Sequence, residues 1–221
     1  MTEAFSRTTG TTGTVRTMPP RRYSLGRIAC AVALLSGLQG CVEMVVGGAV
    51  VGTMAATDRR TLGAQTDDTA ITAKAELRIP QIIGEAGHVN IASFNRKVLV
   101  TGEVRDEATK ATVEREIGAI AGVQGIINEL AVSERSNYTA RGNDTLLTGK
   151  VKASFIDTKD LSATAIKVVS ERATVYLMGR VTQREGQRAG EVAGGVAGVA
   201  RVVKVFDYIG EDELRQIDKR S

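Results

Sequence analysis

The 221-residue sequence predicts an α+β protein built from two tandem copies of one small αββαβ unit, each a three-stranded mixed sheet packed on two helices. Three observations predict it. The chain repeats itself at an offset of 76 or 77 residues. The hydrophobic period switches between helix-like and strand-like in the same order within each copy. A basic, then apolar leader ends at a cysteine ahead of the first copy.

The leader comes first. Arg21, Arg22 and Arg27 precede the apolar run Ile28 to Leu38, which is followed by Gln39-Gly40-Cys41. As a helix the run is roughly 16 Å long at 1.5 Å per residue, well short of a hydrocarbon core of about 30 Å. It suits a secretory signal and not a membrane span. A longer span from 28 to 57 is opposed by Gln39, Glu43 and glycines 37, 40, 47, 48 and 52. Leu38-Gln39-Gly40-Cys41 resembles a bacterial lipobox, which makes Cys41 the lipid anchor and removes Cys30 with the leader. Val42 in place of Asp resembles the outer-membrane sorting pattern. Met18 lies just ahead of the basic cluster and is an alternative start to Met1.

In the first element of each copy, Ile71, Ala75 and Ile79, like Leu147, Val151 and Phe155, recur every four residues and give one apolar helix face. Asp68 and Asp144 are read as the N-caps of these helices. Alternation then predicts strands at His88–Phe94 and 165–170, turned through Asn95-Arg96 or Glu171-Arg172 into Val98–Val104 and Thr174–Val181. A second helix is expected near 106–121 and 183–197, and a third strand at 124–132 and 200–209. Each sheet is expected to bury one face under its two helices. The resulting organisation is an extension and signal peptide over 1–40, an acylated Cys and Gly-rich linker over 41–66, and the first unit over 67–132. A linker follows over 133–142, then the second unit over 143–210 and a charged tail over 211–221.

The order Val-x-Val/Leu-x-Gly-x-Val, helix, Gly-Val-x-x-Ile/Val-x-Asn/Lys occurs twice, at Val98–Val104 and Val175–Val181 and onward. It resembles the BON domain. With Cys41, the glycine-rich 45–56 segment, Ala55-Ala-Thr-Asp-Arg-Arg60 and Gln65-Thr-Asp-Asp68, the whole arrangement is similar to the dual-BON outer-membrane lipoproteins. The resemblance implies a periplasmic location and attachment to the outer membrane through the acyl anchor. It also implies binding of anionic phospholipids, such as phosphatidylglycerol and cardiolipin, through the second unit. A role in envelope integrity near division sites follows from it too.

Where the copies diverge, the residues suggest the surface. Leu146 and Ile156 fall off the core face of the second unit's first helix, where the first unit has Ala70 and Pro80. With Lys150 and Lys152 they suit lipid, alkyl groups entering the interface while ammonium groups meet phosphates. The candidate phospholipid-binding set is Leu146, Leu147, Lys150, Val151, Lys152, Phe155 and Ile156. Packing of Leu146 and Ile156 on the other unit is the alternative, as is a scaffold that docks envelope or division proteins. The helix as read from Asp144 offers no Trp or Tyr, the side chains that commonly anchor interfaces.

Composition excludes other classes. Residues 1–40 carry five Arg and one Glu, so the remaining chain balances 24 basic against 24 acidic groups and offers no global excess for nucleic acid. Gly122-Val-Gln-Gly125 and Gly195-Val-Ala-Gly198 sit at helix-to-strand junctions, unlike an RNA-binding loop between helices. The single His and two Cys show no metal-ligand spacing. No nucleophile-base pair or phosphate loop appears, so neither enzyme chemistry, nor a metal, nor a cofactor is expected. Gly186, Gly190, Gly194 and Gly198 form a stripe on the second helix of the second copy, expected to pack closely on its own sheet or on the other unit, with a groove for a partner as the alternative.

Overall fold

The computed structural model describes residues 58–219; the leader, Cys30 and Cys41 lie outside the described residues. The first repeat consists of α1 (Leu62–Ile83), β1 (His88–Phe94), β2 (Lys97–Val104), α2 (Glu107–Gly118) and β3 (Gly125–Val132). The second consists of α3 (Tyr138–Ile156), β4 (Ile166–Glu171), β5 (Thr174–Val181), α4 (Gln183–Gly194) and β6 (Arg201–Tyr208). The expected αββαβ order holds in both. The sheets have strand orders β1-β2-β3 and β4-β5-β6. In each, the hairpin is antiparallel and the last strand runs parallel to the central one, returning through the second helix.

Each unit has its own core. Ile71, Ala75 and Ile79 of α1 meet Val98, Val100 and Val104 of β2 and Val113 and Ile117 of α2. Leu147, Val151 and Phe155 of α3 meet Val175, Leu177 and Val181 of β5 with Ala189 and Ala193 of α4. The alternate residues of the strands do not face solvent, as the one-sided expectation required. Ala92, Phe94 and Leu99 of the first sheet join Tyr176 and Met178 of the second in a third cluster, flanked by Ile127, Val169, Val203 and Val205. The two sheets therefore pack face to face, each covered on its outer side by two helices.

Polar groups line the edge of this seam. Asn95 Nδ2 donates to Asp207 at 2.8 Å, Lys97 pairs with the same carboxylate, and Lys167 Nζ donates to the Ser93 carbonyl at 3.2 Å. Tyr176 OH donates to Glu129 at 3.3 Å; burial first, then the Glu129 charge, push its phenol up to about 12. The segment before α1 also crosses over. Arg59 forms a two-pronged ion pair with Glu185 of α4 at 2.8 Å on both prongs, and Arg180 Nη1 donates to the Arg59 carbonyl.

Two helix starts differ from expectation. α1 is capped by Thr61, which accepts from Ala64 N, and α3 by Asn137, which accepts from Ala140 N. Asp68 and Asp144 are helix-interior residues with another task. Asp68 accepts the backbone N–H groups of Asn95 and Arg96 at 2.7 Å, and Asp144 accepts those of Arg172 and Ala173 at 2.9 Å. Both hairpins turn through two consecutive positive-φ residues, Asn95-Arg96 and Arg172-Ala173, the second one residue later than the alternation suggested. A two-residue turn of this kind fits the strand twist. Its central residues here are not glycine, and the carboxylate supplies acceptors that offset the conformational cost.

α3 also begins at Tyr138, inside the stretch read as a linker, and 211–218 is a helix, α5 (Glu211–Asp218), instead of a tail. The acidic first turn of α5 complements the helix dipole, and Leu214 is buried. Three of the four stripe glycines do pack on their own sheet, at β6: a Cβ on Gly186 would lie 2.8 Å from Tyr208 Cε1, whereas Gly198 lies beyond α4 and faces Leu147 of α3. Gly102 sits inside β2, not at its end. With φ of 115° and only 2.1 Å from a Cβ position to the His88 carbonyl oxygen, it tolerates no side chain.

Candidate functional site

The candidate surface is the outer face of α3. Of the seven residues expected to touch phospholipid, Leu147, Val151 and Phe155 are buried in the second core and cannot reach a ligand without unfolding the helix. They hold the helix in place. Leu146 and Ile156 are 65% and 73% exposed, so neither packs on the first repeat within the described residues. Lys150 and Lys152 are exposed beside them.

The earlier start of α3 adds a residue that the sequence pattern missed. Tyr138 is 81% exposed, and the Arg141 guanidinium lies 4.3 Å over its ring. At 100° per residue Tyr138 and Ile156 share one meridian of the helix, about 27 Å apart, and Leu146 lies between them in height but about 80° round the helix. The exposed face thus carries an aromatic residue after all. Asn137, three residues ahead of the backbone N–H that it caps, is the local signal that could have placed the start there. A Cβ added to Gly142 or Gly149 would meet nothing within 4 Å, so this face is free of steric cover from the described residues. Beside it, Leu146 and Lys150 border a shallow depression of about 370 Å³ that reaches Ala173 of the hairpin turn and Gly198. No helix among the described residues is long and apolar enough to cross a membrane.

A second polar region lies where the first turns of α3 meet the seam. His88, Asn90, Arg141 and Glu171 line a cavity of about 310 Å³. Burial pushes the Glu171 carboxyl up, helped by the Glu103 charge and opposed by the Asn90 amide. Burial, then the Arg141 charge, hold the His88 imidazole below its ordinary value against the pull of Glu103.

The two αββαβ repeats coincide with two matches to a family model, the BON domain, at residues 67–134 and 143–210. The chain belongs to the BON domain family. It is 37% identical over 188 residues, 84% of this chain and 97% of the relative, to the outer membrane lipoprotein DolP of Haemophilus influenzae. It is 27% identical to a 21 kDa hemolysin of Actinobacillus pleuropneumoniae, covering 69% of this chain and 79% of that one. Among solved structures, CdsD, a structural protein of the type III secretion system of Chlamydia trachomatis, aligns at a TM-score of 0.28 and 9% identity, over 67% of this chain and 99% of that one. A likeness that distant says nothing about how two BON domains are arranged. Leu146, Lys150, Lys152 and Ile156 therefore belong to the second BON domain, with Tyr138 and Arg141 just ahead of it, and the seam cavity lies between the two domains.

Proposed function

We propose that this BON-domain protein is a non-enzymatic lipoprotein, anchored through Cys41 to the periplasmic face of the outer membrane, whose second BON domain binds anionic phospholipid. The anchor and location are supported by the Leu38–Cys41 motif and by the relative named as an outer membrane lipoprotein. A role in outer-membrane integrity near division sites is part of the same reading and rests on the family resemblance.

One observation carries the lipid reading: Tyr138, Leu146 and Ile156 stand exposed along one side of α3 beside Lys150 and Lys152. Burying one such apolar group contributes about 1.5–3 kcal/mol at most, so a free domain is held on a bilayer only weakly, by the three groups and the lysine charges together. With acyl chains already in the membrane, the contact is intramolecular, and a weak site can orient the domain and sense headgroup charge.

Vesicle flotation of residues 42–221 tests this. Binding is expected to require phosphatidylglycerol or cardiolipin, to fall with salt, and to be lost in Leu146→Asp. Binding unchanged by Leu146→Asp would move the site elsewhere, and no binding to either lipid would favour docking of an envelope protein on this face. Separately, Cys41→Ala is expected to leave a folded protein in the soluble periplasmic fraction, and its recovery with membranes would count against the anchor.

A further inference from the structure

The acidic groups at the seam have a composition that lipid binding does not use. Glu103 is 1% exposed, and its Oε1 is buried without a hydrogen-bond partner among the described residues. His88 Nδ1 is likewise buried and makes no well-formed hydrogen bond among the described residues, its nearest acidic group being Glu103 Oε2 at 3.5 Å. Glu171 completes the group: one ligand atom from each of His88, Glu103 and Glu171 lies within 4.8 Å of the others. Leaving a buried carboxylate oxygen and an imidazole nitrogen unsatisfied is costly, and so is bringing two carboxylates together.

We propose that His88, Glu103 and Glu171 form a binding site for a divalent transition-metal ion, with zinc as the representative, that ties the first BON domain to the second. The donor set is one imidazole nitrogen and two carboxylate oxygens, three protein ligands with a further position open to water through the adjoining cavity. Two carboxylates match the charge of the ion. Bonds of roughly 2.0–2.1 Å at tetrahedral angles need donors about 3.3 Å apart, so side-chain adjustment of the order of 1–2 Å closes the set. Outer partners are already placed. Asn90 Nδ2 donates to Glu171 Oε2 at 2.6 Å, and Ser136 N donates to Glu103 Oε2 at 3.2 Å, fixing carboxylates as second-layer donors do.

Opposing charges also face the site. Arg172 Nη1 lies 3.9 Å from Glu103 Oε1, and Arg141 lines the cavity. They offset the carboxylates when no ion is bound and weaken the ion's hold when it is. Removing one must tighten binding, which a purely structural ion-pair network would not predict. Because Glu171 comes from the second domain while His88 and Glu103 come from the first, bound metal would also stabilise the seam.

The test uses the full-length protein without a histidine tag, in detergent micelles, titrated with zinc chloride. His88 is the single histidine of the chain, so its imidazole ¹⁵N signals report the site without ambiguity. The expected result is one ion bound per chain, displaced imidazole signals and a raised melting temperature. His88→Ala and Glu103→Gln should each weaken binding by at least the roughly ten- to hundredfold typical of a lost outer partner. Arg172→Asn, which suits the positive φ of that position, should tighten it several-fold. Imidazole signals of the wild type that do not move with zinc, or zinc binding unchanged in His88→Ala, would overturn the proposal.

Discussion

α1 and α3 occupy equivalent places in the two BON domains and share an inner face, but their outer faces have parted. Ile71, Ala75 and Ile79 match Leu147, Val151 and Phe155 in position and burial. Outside, α1 carries Asp67, Glu76, Lys74 and Arg78, a formal charge of 0, with Asp68 buried, while α3 carries Arg141, Lys150, Lys152 and Asp144, a charge of +2. α1 also exposes Leu62 and Leu77, so apolar exposure alone does not separate the two. Charge does. The core-facing positions of a duplicated fold are held by packing density, whereas the solvent faces are free to take different partners.

Single substitutions put this divergence to measurement. Inner and outer faces of α3 should differ most: Phe155→Ala is expected to cost about 3–5 kcal/mol in urea unfolding, and its exposed neighbour Ile156→Ala no more than about 0.5. A similar cost for both would mean that Ile156 is covered. Loss of the Arg59 side chain leaves Glu185 buried without its cation, with an expected cost on the order of 3 kcal/mol.

The same pair sets a pH dependence. Burial pushes the Glu185 carboxyl up, but the Arg59 hydrogen bonds and charge together with the Thr182 backbone N–H outweigh it and hold the group below its ordinary 4.5. A depressed carboxyl gives stability that is complete above 4.5 and is lost as pH falls through the lower folded value. Glu185→Gln should flatten that acid limb in a pH series of melting temperatures.

The two turn-capping aspartates come next. Asp68 also accepts from Ser93 Oγ and pairs with Arg60, while Asp144 holds only the two turn amides among the described residues, so Asp68→Ala should cost about 2–4 kcal/mol and Asp144→Ala about 1–2. Equal costs would show that the turn amides dominate in both. The smallest expected effect is a gain: Ala173, at φ 58°, should favour glycine by about 0.5–1 kcal/mol, measured by chemical denaturation.

Much of the fold was legible locally. Four-residue spacing placed the inner faces of α1 and α3, alternation placed β1 and β4, and the order repeated in both copies placed the remaining strands. The second buried face of each sheet was harder. In β5, Val175 to Met178 is apolar without a break, a mark of a strand covered on both sides, but in β2 Thr101 and Glu103 interrupt the pattern and suggest solvent. Those polar residues are buried because the seam supplies partners from the other domain, Thr101 lying 3.4 Å from Glu171. On the candidate surface, Leu146, Lys150, Lys152 and Ile156 followed from comparing the copies. Tyr138 does not, because Asp144 competes in the sequence for the capping role that Asn137 fills in the structure.

By itself the sequence determined the duplication, the order of elements and the placing of Leu146 and Ile156 beside Lys150 and Lys152, since each is written in neighbouring residues or in a fixed offset between copies. Only the tertiary structure decided that the sheets cover each other, that Asp68 and Asp144 serve hairpins more than 25 residues away, and that His88, Glu103 and Glu171 meet. Periodicity reports which side of an element avoids water. It carries no information on which distant side arrives to cover it, and at the seam that arrival is what brings the polar groups together.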